Sequence, residues 1–164
     1  MNDTTLDYRE SDRQIWEEEL DDFVPQRILD AHIHCFWNAN LVQIPEGFEH
    51  QDHDLDTLNR WAEVLYPGRD MQYLILGTPS GKPDVSRHVQ SVRQAIDGVA
   101  GVRHNRLVTP DCQLTDIERD LENPQFVGLK PYRTYSVTGD IAQCRIHEFL
   151  THEQMELANE HGWW

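Results

Sequence analysis

Four short apolar runs, each followed by a stretch with helical periodicity, constrain the fold of this chain more than any other feature. The first run, Arg27 to His34, follows a short acidic helix expected over 11–23, whose stripe is Ile15, Trp16, Leu20 and Phe23 and which Pro25 stops. Residues 1–10 read as loosely packed. After a long connection from Cys35 to about Asp70, Asp54 to Leu65 forms an amphipathic helix. Leu55, Leu58, Trp61, Ala62 and Leu65 lie on one face, Asp52 or Asp54 caps the start, and Pro67-Gly68 ends it. Met71–Leu76 is the second strand, closed by Gly77-Thr78-Pro79-Ser80-Gly81, and Val85–Val99 the next helix, stopped by Gly98 and Gly101. Arg106–Thr109 reads as a short third strand, and Leu114 or Thr115 to Glu122 as its helix. Phe126–Lys130 is the fourth strand, followed after a polar stretch by a helix over about Thr151–Glu160. Strands alternating with helices predict βαβ units and a parallel sheet.

The first strand carries the strongest chemical signal, Asp30-Ala31-His32-Ile33-His34. Strand side chains alternate faces, so Asp30, His32 and His34 are expected on one side and Ala31, Ile33 and Cys35 on the other. Two imidazoles two residues apart on one strand face can share a divalent metal, and neutral imidazole suits Zn, Fe, Ni and, less well, Mn. Asp30, one step deeper, is expected to orient an imidazole. On the fourth strand Phe126, Gly128 and Lys130 are expected to share a face opposite Val127 and Leu129. That aims Lys130 inward at the C-terminal end, the end at which α/β proteins place their sites. An inward lysine there can hold an anionic substrate or polarise a carbonyl. Tyr132, Arg133 and Tyr135 follow it in the loop.

Other ligand-type residues read as background. Glu49-His50-Gln51-Asp52-His53-Asp54 has no strand to aim it and is expected as a solvated loop and helix start. The same holds for His147, His152 and His161, His147 and His152 being five apart and off a common helix face, and Cys35 alternates away from the histidine pair. Thr78, Asp111 and Cys112 are candidates for a pocket rim. No phosphate loop, dinucleotide fingerprint, nucleophile elbow or zinc-finger spacing is present.

Charge narrows the partners. Net charge is −15, from 29 acidic against 14 basic side chains, so neither nucleic acid nor an anionic membrane is expected to bind through a basic surface. Glu17-Glu18-Glu19-Leu20-Asp21-Asp22 reads as a solvated helix face. Three cysteines without CxxC spacing, no signal-like start and no long apolar run predict free thiols and a cytoplasmic location.

Phe23-Val24-Pro25 through His34 resembles the opening of the amidohydrolase superfamily, in its amidohydrolase-2 (amidohydrolase-related) branch. Phe126-Val127-Gly128-Leu129-Lys130-Pro131-Tyr132 resembles that branch's Gly-hydrophobic-Lys segment, and Leu157-Ala158-Asn159-Glu160-His161-Gly162 the helix that leads into its fifth strand. The resemblance implies an α/β fold: the N-terminal half, about four β/α units, of a TIM (β/α)8 barrel with parallel strands. At 164 residues the chain is short of the roughly 250 of a complete barrel. Its expected layout is an N-terminal extension over 1–24 and a partial barrel over 25–164, ending before the fifth strand. The resemblance further implies a metal-dependent hydrolase of a small substrate, with His32 and His34 as metal ligands, Zn foremost and Mn, Fe or Ni as alternatives. Lys130 and Asp30 are the catalytic candidates. Relatives also decarboxylate with such a site. TatD-like nucleases and PHP phosphoesterases open on a similar strand, but they place a carboxylate where this chain has Gly128-Leu129-Lys130. The alternative from another class is a non-catalytic half-barrel that binds a partner or assembles as a homodimer.

Overall fold

The computed structural model describes residues 6–44, 46–47, 51–79 and 82–163. Expectations that fall on residues 1–5, Glu49, His50, Ser80, Gly81 and Trp164 lie outside the described residues. Helix α1 (Glu10–Ile15) runs on into a π-helical turn, Trp16–Leu20, so the expected acidic helix divides into two pieces. Strand β1 (Arg27–Ile33) follows, then a short β2 (Leu41–Gln43) and α2 (Leu55–Leu65). Next come β3 (Asp70–Leu76), β4 (Lys82–Pro83), α3 (Val85–Ile96) and β5 (Val102–Val108). The chain continues through α4 (Leu114–Leu121), β6 (Phe126–Pro131) and α5 (His152–Glu160).

The main sheet has four parallel strands in the order β1-β3-β5-β6, with helices between them. A second, two-stranded sheet pairs β2 with β4 antiparallel, tying the long connection after β1 to the loop after β3. Sequence pattern does not announce that pair, since strands of three and two residues have no measurable period. Strand β5 is seven residues long rather than the expected four. Its first half, Val102-Arg103-His104-Asn105, hides its alternation because its inward positions are one valine and a histidine.

Helices α2 to α5 cover one face. Tyr73, Ile75, Val102 and Phe126 pack with Leu55, Leu58 and Ala62 of α2 and Val89, Val92 and Ile96 of α3. Val108 and Leu129 pack with Ile117 of α4 and Leu157 of α5. A doubly wound sheet would place helices on both faces; here α2 to α5 lie on one face of a parallel α/β sheet. The caps follow from local chemistry. Asp54 accepts the Thr57 amide at 3.0 Å, Asp84 the Arg87 amide at 3.0 Å, and Thr151 the Gln154 amide at 3.3 Å.

Two contacts fix the strands against each other. Gly77 lies against β5 so closely that a Cβ there would sit 2.5 Å from Leu107 Cβ and 2.8 Å from its Cα. Only glycine fits. On the helix side Arg106 donates to Asp120 at 2.7 Å and Arg93 donates to the other carboxylate oxygen at 2.8 Å, locking α3 and α4 to β5.

Candidate functional site

The site is built at the C-terminal end of β1, and a bulge shapes it. Asp30 pairs with Tyr73, but Ile33 pairs with Ile75, so β1 spends one extra residue over this interval. Neighbours in a parallel register point the same way. Asp30 therefore shares the helix-covered face of Tyr73, and Ile33 shares that of Ile75. His32 and His34 are left on the open face. The expected grouping of Asp30 with the two histidines is corrected by this bulge. Within the bulge the His32 N–H donates to the Asp30 carboxylate at 3.0 Å. Asp30 holds the turned strand end rather than an imidazole. The Tyr73 hydroxyl beside it is pushed up to about 12, by burial first and by the Asp30 charge second.

His34 Nδ1 lies 2.9 Å from the Leu76 carbonyl oxygen. A carbonyl only accepts, so Nδ1 carries the proton and Nε2 keeps its lone pair. That is the arrangement by which a metal-binding histidine is usually oriented. The His32 ring centroid is 5.5 Å away at a 76° interplanar angle. The His34 pKa is lowered, chiefly by burial; the Leu76 carbonyl opposes this, and His32, Lys130 and His53 lower it further. Burial thus disfavours the protonated ring, and the neutral imidazole is the form that binds metal.

Lys130 projects to the open face, as expected, but by another route. His104 pairs with Phe126 while Asn105 pairs with Gly128, so β6 also carries a bulge. Phe126 and Leu129 both face the helices, correcting the expected grouping of Phe126 with Lys130. Lys130 pairs with Leu107, and its Nζ sits 5.1 Å from the Tyr132 ring centroid. Tyr132 in turn donates its hydroxyl to the Gly77 carbonyl at 2.6 Å, pinning the loop after β6 to the end of β3.

The loop before α2 is more ordered than its composition implies. Asp52 accepts both the backbone amide (2.8 Å) and the side-chain amide (2.7 Å) of Asn38, and Asp54 is spent on its cap. His53 and Phe36 exchange backbone hydrogen bonds at 2.8 and 2.9 Å, which brings the His53 ring over Phe36 and toward His34. Of the rim candidates, Thr78 is buried, the Asp111 carboxylate accepts the Thr109 hydroxyl at 2.6 Å, and the Cys112 thiol accepts the Thr109 amide at 3.4 Å. Cys35 packs in the core, its thiol pushed up to about 12 by burial. His147 and His152 stack with centroids 5.4 Å apart on the exposed surface, and His161 is exposed.

Two further histidines were missed by motif reasoning. His88 and His104 are buried on the helix side with rings 6.5 Å apart. Burial lowers them to about 4 and about 3. His104 Nδ1 donates to the Ile75 carbonyl at 2.9 Å, while His104 Nε2 and His88 Nδ1 have no partner among the described residues. The signal was available: His88 falls on the Val85, Val89, Val92 stripe, and His104 alternates with Val102 and Arg106.

Among the described residues no group of three or more His, Cys, Asp or Glu side chains converges to hold a metal. His32 and His34 stand as a pair. No helix among the described residues is long and apolar enough to cross a membrane. The fold and this pair define an α/β protein with a histidine-bearing sheet end. Compared with known proteins, the chain matches no family model, no curated protein and no solved structure.

Proposed function

We propose that this chain is the metal-binding half of a metal-dependent hydrolase of the amidohydrolase-related kind, built as four β/α units of a TIM barrel. His32 and His34 are two ligands of a divalent ion, with Zn first and Mn, Fe or Ni as alternatives. The observation that carries the reading is the His34 Nδ1 to Leu76 hydrogen bond, which leaves Nε2 unprotonated beside His32 at the C-terminal end of a parallel strand. A metal bound there would polarise a carbonyl and lower the pKa of its water from about 15.7 toward about 7. The chain's own groups do the rest. Lys130, on the same open face, offers a positive charge to a small carboxylate-bearing substrate, with Tyr132 as the wall behind it. Asp30 is a positioning residue that holds the bulged strand end through the His32 amide. Decarboxylation is the second reaction that such a metal and lysine serve, since an anion beside a Lewis acid is common to both.

Free Cys35, Cys112 and Cys144 fit a reducing, cytoplasmic setting, and the net charge of −15 fits a small-molecule substrate better than nucleic acid. The test is elemental analysis of the parent and of a His32→Ala/His34→Ala variant after equilibration with zinc and desalting. The parent is expected to retain zinc and the variant to lose it. Equal metal content in the two sinks the assignment.

A further inference from the structure

We propose that Tyr132 and His88 are positioning residues of the histidine site: together they clamp the Gly77–Thr78 peptide unit at the end of β3, and through it hold the Leu76 carbonyl against His34. The inference rests on the metal reading of His34 and adds the two side chains that aim its ligand nitrogen. Three successive carbonyls at this strand end accept from ring side chains. The Ile75 carbonyl accepts His104 Nδ1 at 2.9 Å, the Leu76 carbonyl accepts His34 Nδ1 at 2.9 Å, and the Gly77 carbonyl accepts the Tyr132 hydroxyl at 2.6 Å. A trans peptide points its carbonyl and its amide in opposite directions, so each unit can be gripped from two sides. The last two units both are. His34 holds the Leu76–Gly77 unit at its carbonyl, and the Asn105 carbonyl of β5 accepts its amide at 3.1 Å. Tyr132, from the loop after β6, holds the Gly77–Thr78 unit at its carbonyl, and His88 Nε2 of α3 accepts its amide at 3.5 Å.

Gly77 gives the clamp its purpose. A Cβ there would strike Leu107 at 2.5 Å, yet glycine is the residue whose backbone dihedrals are least restrained. The two peptide units meet at its Cα, so neighbouring side chains supply the restraint that a Cβ would have given. Their donors and acceptors suit the task. Burial pushes Tyr132 up to about 12, which keeps its hydroxyl protonated and donating. The Thr78 amide only donates, so His88 Nε2 carries the lone pair and Nδ1 the proton. His88 and Thr78 are both buried, which shields their bond from water. A group that orients a ligating histidine typically changes metal affinity 10–100-fold. Tyr132 and His88 act one step further out, so the lower end of that range is expected.

The test reads His34 directly, in the full chain. Long-range proton–nitrogen NMR without metal, at about pH 8 where an ordinary imidazole is neutral, reports which ring nitrogen carries the proton. Competition with a chromophoric chelator reports zinc affinity. The parent is expected to show His34 protonated at Nδ1 alone. Tyr132→Phe, which removes only the hydroxyl, should give a mixture of both tautomers and about tenfold weaker zinc binding. Tyr135→Phe is the control. Its ring meets Tyr132 edge-on with centroids 6.3 Å apart, but its hydroxyl has no partner among the described residues, so neither readout should move. His88→Leu should act like Tyr132→Phe, whereas His88→Gln, which keeps an acceptor near Nε2, should restore the parent tautomer. An unchanged His34 tautomer in Tyr132→Phe overturns the clamp, as does unchanged zinc affinity where the parent binds zinc; neither touches the histidine ligands. A parent that takes up no zinc, but whose His34 tautomer shifts in Tyr132→Phe, leaves the clamp standing and overturns the metal reading.

Discussion

Arg106 and Asp120 meet at 2.7 Å with side chains only 4 % and 6 % exposed, forming an ion pair buried between β5 and α4. Arg93 reaches the same carboxylate at 2.8 Å and lies with its guanidinium 5.5 Å from the Phe126 ring centroid. Removing one member leaves the other charged and without its partner. Asp120→Ala is therefore expected to lower unfolding stability by about 3–5 kcal/mol, and Arg106→Met/Asp120→Leu by clearly less, because the pair's desolvation cost disappears with it. Urea unfolding of the two variants checks this. A double variant no more stable than the single one contradicts it.

Gly77→Ala is expected to be costly although the backbone there can accept alanine. The new Cβ would collide with Leu107 backbone and Cβ atoms at 2.5–2.9 Å, and a strand cannot give way as a flexible side chain does. Overpacking of this kind costs about 1–3 kcal/mol. The midpoint of urea denaturation should fall, and amide exchange should quicken in β3 and β5 before it does in α5.

Acid should unfold the protein partly through two buried histidines. Burial brings His88 to about 4 and His104 to about 3 in the folded chain, against 6.5 for an ordinary imidazole. The unfolded chain binds protons first as pH falls, so their contribution is intact above about 6.5 and is lost from there down to about 4 for His88 and about 3 for His104. Each adds a slope of up to about 1.4 kcal/mol per pH unit in that window. His88→Gln, measured by urea unfolding from pH 7.5 to 4.5, should show a shallower loss than the parent. Parallel curves contradict the assignment.

Asp54→Ala tests the start of α2. The carboxylate caps the helix through the Thr57 amide at 3.0 Å and also accepts the Thr57 hydroxyl at 3.0 Å. These bonds hold its pKa below the usual carboxylate range, the Thr57 amide contributing most. Loss of the cap should cost about 1 kcal/mol, measurable as a drop in Tm, with Asp54→Ser recovering most of it.

Much of the fold was legible because the elements obey local rules. The helix from Leu55 to Leu65, its Asp54 cap and the stop at Pro67-Gly68 need only periodicity and capping chemistry. The alternation of strand and helix predicts the parallel sheet, and β6 spans Phe126–Pro131 where Phe126–Lys130 was expected. The β2–β4 pair and the first half of β5 escaped notice because short or polar strands depend on their partners, not on their own pattern.

The histidine pair, the inward lysine and the parallel sheet were determined by sequence alone, since alternation and residue chemistry act over a few neighbouring positions. What surrounds His34 was decided only by the tertiary structure. The bulge in β1 turned Asp30 away, the Leu76 carbonyl selected the protonated nitrogen, and the Phe36–His53 bridge brought in a third imidazole that composition had assigned to solvent. The physical reason is that register, hydrogen-bond choice and burial belong to pairs of segments tens of residues apart, and neither segment carries them by itself.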